Sequence, residues 1–176
     1  MDWYVIDKKY INYLTQFDSR VGCVGYVEYG ERLKLHVGIL LTIGDFHYYV
    51  PISSAKPKHQ KMSNSLDFHK LQDESTGYLY AVLNIDNMIP VPNNCLTQLK
   101  YNQVENFRSF RSEKEKTDYI YLLQKEKAMI DNAQDTLHNK AMKLYQKCIA
   151  KPDSSLAARC CDFKTLEEKC SSYSNT

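Results

Sequence analysis

Three features that would place a sequence quickly in a class of proteins are nearly absent from this one. The 23 basic and 21 acidic residues almost cancel, leaving a net charge of +2, so no overall electrostatic field marks a nucleic-acid binder. The longest apolar stretches, such as residues 37–43, are far shorter than the roughly 20 residues that cross a membrane. Few glycines and prolines beside 43% apolar residues exclude a disordered chain. The 176 residues therefore predict a single globular domain, with no membrane partner.

Motifs that would indicate a bound metal or nucleotide are also missing. The six cysteines form no CxxC pair, the phosphate-loop motif GxxxxGK[ST] does not occur, and the acidic residues are scattered. These absences argue against a structural zinc site, a nucleoside triphosphate site and a two-metal nuclease, so we predict no metal and no cofactor. The first residues lack the apolar core of a secretory signal, and we expect a cytoplasmic protein with reduced cysteines.

What is present is a change of hydrophobic period along the chain. Residues 1–92 are rich in strand patterns, and residues 93–176 are mainly helical, which predicts an α+β fold with a mostly antiparallel sheet. The most distinct feature is a hairpin whose two-residue turn is Gly44-Asp45. Residues 20–32, where glycines alternate with tyrosines, predict a loop. The predicted strands are 2–6, 34–43, 46–52, 78–85 and 88–91, with 66–71 as strand or loop, and the predicted helices are 8–17, 94–99, 112–150 with a break near 131–135, and 163–173.

The densest chemistry lies directly after the second hairpin strand. Residues 53–61 read SSAKPKHQK, and residues 56–70 hold four lysines against one aspartate, a local charge of +3. Two hydroxyls and a lysine at a strand end suit phosphate recognition, although a solvated basic loop has the same composition. His59 is interpreted as a proton carrier, a phosphate contact or simply an exposed residue of the loop. The lysines of the helical half, among them Lys140 and Lys143, predict either a second RNA surface or a solvated helix face.

Metal-free cleavage of RNA needs residues of these types. A 2′-hydroxyl must lose its proton, the extra negative charge of the phosphorane must be stabilised, and the departing 5′-oxygen must be protonated. Lysine, serine, tyrosine and histidine can share those tasks, and all four occur in residues 20–32 and 53–61. Serine hydrolase chemistry at Ser54 is disfavoured because the sequence contains no GxSxG motif. An RNA-binding module without catalysis and a metal-dependent nuclease remain alternatives.

Several stretches resemble one known family. The sequence has YINYLTQFD at residues 10–18, VGI at 37–39, PISSAKPKHQKM at 51–62 and NIDNMIPV at 84–91. Together these resemble the ToxN/AbiQ family of type III toxin-antitoxin endoribonucleases over essentially the whole chain. Ser53 stands where many members have threonine, which keeps the hydroxyl, and Ala55 replaces a common proline.

The resemblance implies a fold, an activity and a set of site residues. It implies a compact, strongly bent antiparallel sheet or barrel similar to the MazF and Kid toxins, with added helices. It also implies a metal-independent endoribonuclease that leaves a 2′,3′-cyclic phosphate and acts on cellular or phage RNA. A small antitoxin RNA pseudoknot would inhibit the toxin and join it in an oligomeric assembly. The implied catalytic residues are Tyr29, with Tyr26 as its rival, Lys34, Ser53, Ser54 and Lys56. The expected RNA contacts are Tyr26, Lys58, His59, Lys61, Lys140 and Lys143.

Overall fold

A computed structural model describes residues 1–22 and 34–173 of the chain, and the α+β class is confirmed. The strands are β1 (Asp2–Ile6), β2 (His36–Ile43), β3 (Phe46–Ser54), β4 (Phe68–Gln72), β5 (Leu79–Asn84), β6 (Ile89–Pro90) and β7 (Leu96–Gln98). The helices are α1 (Lys8–Thr15), α2 (Pro57–Gln60), α3 (Glu113–Asn132), α4 (Gln134–Ala150) and α5 (Phe163–Ser172). Short 3₁₀ helices cover Ser19–Gly22, Ile85–Asn87, Asn93–Cys95, Tyr101–Asn106 and Ala157–Arg159.

The seven strands form one antiparallel sheet, in which β3 is the shared element. The order is β4-β5-β3-β2-β1-β7, with β6 added on β3, and the described strands leave β4 and β7 at opposite ends without closure. The first part of β3 pairs with β2 and β6, whereas its last three residues, Ile52 to Ser54, pair with β5. In the described part of the chain, the β4–β5 hairpin is thus hydrogen-bonded to the remaining strands only through the end of β3.

The predicted hairpin is confirmed, and it contains one irregularity. Ile43 pairs with Phe46 across the two-residue turn, and Gly44 has a φ of +55°, the left-handed value that glycine adopts without strain. Farther from the turn, β2 has two more residues than β3 between consecutive paired positions, Val37 and Leu41 on β2. This bulge changes the register, so His36 pairs with Pro51.

The first strand and helix lie where the sequence predicted them. The Asp7 side chain accepts a hydrogen bond from the Lys9 backbone N–H at 2.7 Å and caps α1. Tyr10, Ile11 and Leu14 are buried in the core, as their helical spacing requires. The helix ends at Thr15, two residues before its predicted end. Of the predicted loop at 20–32, the start belongs to the 3₁₀ helix Ser19–Gly22 and the rest lies outside the described residues.

The prediction of a helix over residues 94–99 was wrong. Residues 93–95 form a 3₁₀ turn, and Leu96–Gln98 is the edge strand β7, paired with β1. The Leu99 N–H continues this pairing by donating to the Trp3 carbonyl at 2.9 Å. The open edge of β1 offers these six residues backbone partners that an isolated short helix lacks, and so tertiary pairing overrides the local capping signal of Asn94.

The helices cover the sheet and close the core. The predicted break in the helical half is confirmed at Ala133, and α3 packs on β4 and β5 while α4 packs on β2. A buried carboxylate joins three elements, since Glu167 of α5 accepts hydrogen bonds from Tyr48 at 2.8 Å and Tyr145 at 2.7 Å. Among the described helices, none is both long and apolar enough to span a membrane.

Candidate active site

The end of β3 carries the hydroxyls of the predicted site. Ser53 and Ser54 pair with Val82 and Ala81 of β5, and along this strand end Ser53 is half-buried while Ser54 is exposed. β3 ends at Ser54, but Lys56 is still extended, because the following Pro57 disfavours helical dihedral angles in the residue before it and is itself well suited to open a helix. The exposed Lys56 therefore stands between a sheet edge and the short helix α2.

Lys34 reaches this strand end from the start of β2. Its Nζ donates a hydrogen bond to Ser53 Oγ at 2.6 Å, and the Asn84 side-chain amide donates to the same oxygen at 3.3 Å. The bulge in β2 explains the encounter: continuing the register of the turn would put Lys34 opposite Ala55, whereas the shifted register puts it opposite Ser53. The Ile52 N–H, which donates to the Leu35 carbonyl at 3.1 Å, holds the shifted alignment.

The Lys34 amine lies in surroundings that favour its neutral form. Burial and, to a smaller extent, the positive charge of Lys56 lower the pKa of Lys34 to about 8. Near neutral pH, a larger fraction of an amine with a pKa this low is neutral than of an exposed lysine, and a neutral amine can accept a proton. Of the predicted site residues, the structure thus brings Lys34, Ser53, Ser54 and Lys56 to one strand end.

His59 has a different environment from the one expected of an exposed RNA contact. Only 6% of the residue is exposed, and its ring lies 5.8 Å from that of Phe68. Its ring Nδ1 accepts a hydrogen bond from the backbone N–H of Lys56 at 3.1 Å, while the backbone N–H of His59 donates to the Lys56 carbonyl at 2.8 Å. Burial and the charges of Lys58 and Lys56 lower the pKa of His59, in keeping with a neutral ring that accepts at Nδ1. His59 therefore fixes the backbone of Lys56.

The other predicted RNA contacts fall into three groups. Lys58, Lys61 and Lys143 are exposed. Lys140, in contrast, is half-buried and donates to the Phe68 carbonyl at 3.2 Å and to His69 Nδ1 at 3.3 Å, so its ammonium ties α4 to β4. Tyr26 and Tyr29 lie outside the described residues.

Two residues near Lys34 were not predicted as part of the site. Asn84, the last residue of β5, holds the Ser53 hydroxyl, and a polar side chain closing an apolar strand was its signal in the sequence. His36, in β2, is 4% exposed and lines a small cavity with Lys34. Burial, and then the charge of Lys34, lower the pKa of His36 to about 3. No group of three potential metal ligands occurs among residues 1–22 and 34–173.

Comparison with known proteins places the chain in a family. The family described as "Toxin ToxN, type III toxin-antitoxin system" matches residues 2–171. The chain belongs to the ToxN family. Endoribonuclease AbiQ of Lactococcus lactis subsp. lactis is 26% identical over 181 residues, covering 98% of this chain and 88% of AbiQ. Endoribonuclease ToxN of Bacillus thuringiensis subsp. kurstaki is 28% identical over 178 residues, covering 97% and 83%.

Solved structures share the fold of this ToxN-family chain. A structure from a study of selective toxin inhibition by a non-coding RNA pseudoknot in type III systems matches with a TM-score of 0.79 at 28% identity, covering 98% of this chain and 96% of the other. The structure of AbiQ, a lactococcal anti-phage endoribonuclease, matches with a TM-score of 0.77 at 25% identity, covering 97% and 95%. The similarity spans both the sheet and the helices.

Proposed function

We propose that this toxin is an endoribonuclease that cleaves RNA through attack of a 2′-hydroxyl on the adjacent phosphate, leaving a 2′,3′-cyclic phosphate, without a metal. The observation that carries the proposal is the 2.6 Å contact between Lys34 Nζ and Ser53 Oγ beside Lys56. It joins a proton-transfer group, hydroxyl donors and a fixed positive charge at one exposed strand end, which are the requirements of the reaction. The relatives named endoribonuclease support the same activity.

Each residue of the site takes one task in this scheme. Neutral Lys34 accepts the proton of the attacking 2′-hydroxyl, since its lowered pKa of about 8 lies close to the operating pH. The Ser53 and Ser54 hydroxyls donate to the scissile phosphate, and Lys56 stabilises the charge that develops on the phosphorane. Tyr29, with Tyr26 as the alternative, protonates the departing 5′-oxygen. Asn84 and His59 are positioning residues, acting through Ser53 and through the backbone of Lys56.

The proposed inhibitor is a small folded RNA. One solved relative comes from a study of toxin inhibition by an RNA pseudoknot, and we extend that mode of inhibition to this chain. The exposed Lys58 and Lys61 extend the positive charge of the active site, and Lys143 offers a second contact on α4. Lys140 contributes indirectly, by holding α4 against β4. The antitoxin would thus occupy the groove in which cellular or phage RNA is cut, within a toxin-RNA oligomer.

The proposal includes three statements about the whole molecule. The chain forms a single domain, β-rich over 1–92 and mainly helical over 93–176, and the packing of α4 on β2 supports this. The bent core resembles that of the MazF and Kid toxins. The protein acts in the cytoplasm, where its RNA substrates are.

Cleavage of RNA in the presence of EDTA tests the activity. We expect the purified protein to produce fragments with cyclic-phosphate ends, and we expect Ser54→Ala and Lys56→Met to remove at least 99% of the rate, about the effect of losing one group that stabilises transition-state charge. The matched control is Lys114→Met, because Lys114 is exposed at the start of α3 and pairs only with Asp118 in the described structure.

Two results would overturn the proposal. RNA that is bound but left intact would support the alternative of a non-catalytic RNA-binding module. RNA that is cut only after Mg²⁺ is restored would identify a metal-dependent nuclease.

A further inference from the structure

The tip of the β4–β5 hairpin presents two tyrosines that the catalytic scheme does not use. Tyr78 is 62% exposed, the largest exposed fraction of any large hydrophobic side chain in the described part of the protein. The half-buried Tyr80 supports it, since the two ring centroids are 4.6 Å apart and the planes meet at 75°. Edge-to-face contact of this kind holds one ring against the other and leaves a face of the outer ring open.

The turn that carries Tyr78 is braced by hydrogen bonds. Asp73 Oδ1 accepts the backbone N–H groups of Ser75 and Thr76, each at 2.9 Å, and the Asp73 N–H donates to the Tyr78 carbonyl at 2.9 Å. Gly77 supplies the left-handed φ of +72° that completes the turn. An exposed aromatic ring on a rigid turn loses little conformational entropy when a ligand binds.

This hairpin lies directly beside the catalytic strand end. The Ala55 N–H donates to the Tyr80 carbonyl at 3.3 Å, so Tyr80 is bonded to the residue between Ser54 and Lys56. Ser54 itself pairs with Ala81, and Tyr78 lies three residues before Ala81 in the chain. Because neighbouring strands are only about 4.8 Å apart, Tyr80 lies beside the end of β3 that carries the hydroxyls, and Tyr78 lies two residues farther toward the hairpin tip.

We propose that the Tyr78–Tyr80 pair is a stacking site for a nucleobase next to the scissile phosphate. The inference rests on the proposed RNA cleavage and adds a residue that determines which RNA is bound. With the phosphate at Ser54 and Lys56, an adjacent base would lie beyond the end of β3, toward Tyr78 at the hairpin tip. Proteins commonly bind single-stranded RNA by stacking its bases on aromatic rings while neighbouring cationic side chains contact the phosphates.

The size and charge of the patch favour a base over a protein partner. Two rings offer far less than the roughly 800 Å² per partner of a stable protein interface. The neighbouring segment contains the exposed cations Lys56, Lys58 and Lys61, which attract a phosphate backbone. A flat, single aromatic face among positive charges matches a nucleobase.

A tryptophan reporter tests the stacking directly. The chain has one tryptophan, Trp3, which is 2% exposed and therefore shielded from any ligand. We expect the fluorescence of the Tyr78→Trp protein to be quenched by short single-stranded 2′-O-methyl RNA oligonucleotides. The control is Tyr121→Trp, since Tyr121 is 57% exposed on α3 and also lies beside a lysine, with Lys125 Nζ 5.4 Å from its ring. Equal quenching of both variants would overturn the proposal.

Substitutions at Tyr78 provide the second measurement. Tyr78→Ala should weaken binding of the same oligonucleotides by about tenfold to a hundredfold, as expected for the loss of one stacked base, whereas Tyr78→Phe should bind like the wild type. In cleavage assays Tyr78→Ala should raise KM by a similar factor and leave kcat nearly unchanged. Unchanged binding by Tyr78→Ala, or no rescue by Tyr78→Phe, contradicts a stacking site.

The two assays separate this inference from the proposed cleavage. A 2′-O-methyl RNA has no free 2′-hydroxyl and cannot be cut by the proposed reaction, so the fluorescence measurement does not depend on catalysis. Quenching at Tyr78→Trp in a protein that cuts no RNA would refute the cleavage mechanism and retain the base site. Cleavage without quenching would refute the base site alone.

Discussion

The pKa of Lys34 provides the most direct test of the site geometry. Lys56→Met removes the neighbouring charge, and the resulting change in the pKa of Lys34 can be measured. The structure lowers the pKa of Lys34 from 10.5 to about 8, with burial as the larger cause and the charge of Lys56 as the smaller. Lys56 therefore accounts for less than half of the fall, and its removal should raise the pKa to about 9 at most. Lys58→Met should change the pKa of Lys34 less than Lys56→Met does, because the exposed Lys58 lies farther along the chain, in α2.

NMR of protein with ¹³C-labelled lysine measures this pKa. The Lys34 resonance is assigned by its loss in Lys34→Met, and its chemical shift is followed from pH 6 to pH 11. At pH 7 a pKa of about 8 leaves roughly a tenth of the Lys34 amines neutral, against less than about one in a thousand for an ordinary lysine. The cleavage rate of the wild type should accordingly rise with pH and level off above about pH 8.

Two results would refute the reasoning. A Lys34 pKa above about 10 in the wild type would mean that the amine is solvated and not buried at Ser53. A pKa near 8 that stays fixed in Lys56→Met would mean that Lys56 is farther from Lys34 than the structure places it.

Three further predictions concern stability, measured by urea unfolding. Burial raises the pKa of Glu126 to about 7, so ionisation of this carboxyl destabilises the fold as pH rises from about 4.5 to 7. Glu126→Gln should therefore stabilise the protein by about 3 kcal/mol at pH 8 and hardly at pH 4. Equal effects at both pH values would contradict this. The pH dependence at His36 runs the other way: its lowered pKa of about 3 makes the free energy of unfolding fall as pH drops below about 6.5. Between pH 7 and pH 4.5, the His36→Asn protein should lose about 2–3 kcal/mol less stability than the wild type. Lys140→Met should cost about 1–2 kcal/mol, since Lys140 bonds β4, whereas Lys143→Met should change stability by less than about 0.5 kcal/mol; the reverse order would be inconsistent with the contacts.

The sequence predicts best the features that depend on neighbouring residues. The hairpin follows from its β-branched strands and Gly44. Ser53, Ser54 and Lys56 lie within four consecutive residues, so the end of one strand is enough to bring them together. Helix α1 follows equally from Asp7 and a regular apolar spacing. Each of these depends on local dihedral preferences and periodicity.

The features that escaped prediction depend on distant parts of the chain. Lys34 was placed in the site only by the family resemblance, because its opposition to Ser53 requires two extra residues in β2, and no turn motif marks such a bulge. The burial of His59 depends on Phe68 of another strand, and β7 forms because β1 leaves an edge open. Side-chain chemistry alone assigns a histidine in a basic loop to the surface, and only the tertiary contacts reverse that assignment.

β3 pairs with β2 and β6 along its first part and with β5 at its end, and this arrangement affects how the toxin can evolve. The proposed acid-base chemistry lies on the β2 side of β3, and the proposed base site lies on the β5 side. A substitution that alters the path of the chain between Val50 and Ser54 moves one side relative to the other, so turnover and RNA preference are expected to vary together. Substitutions at the hairpin tip, beyond Tyr80, are free of this constraint, and new RNA preferences should arise there first.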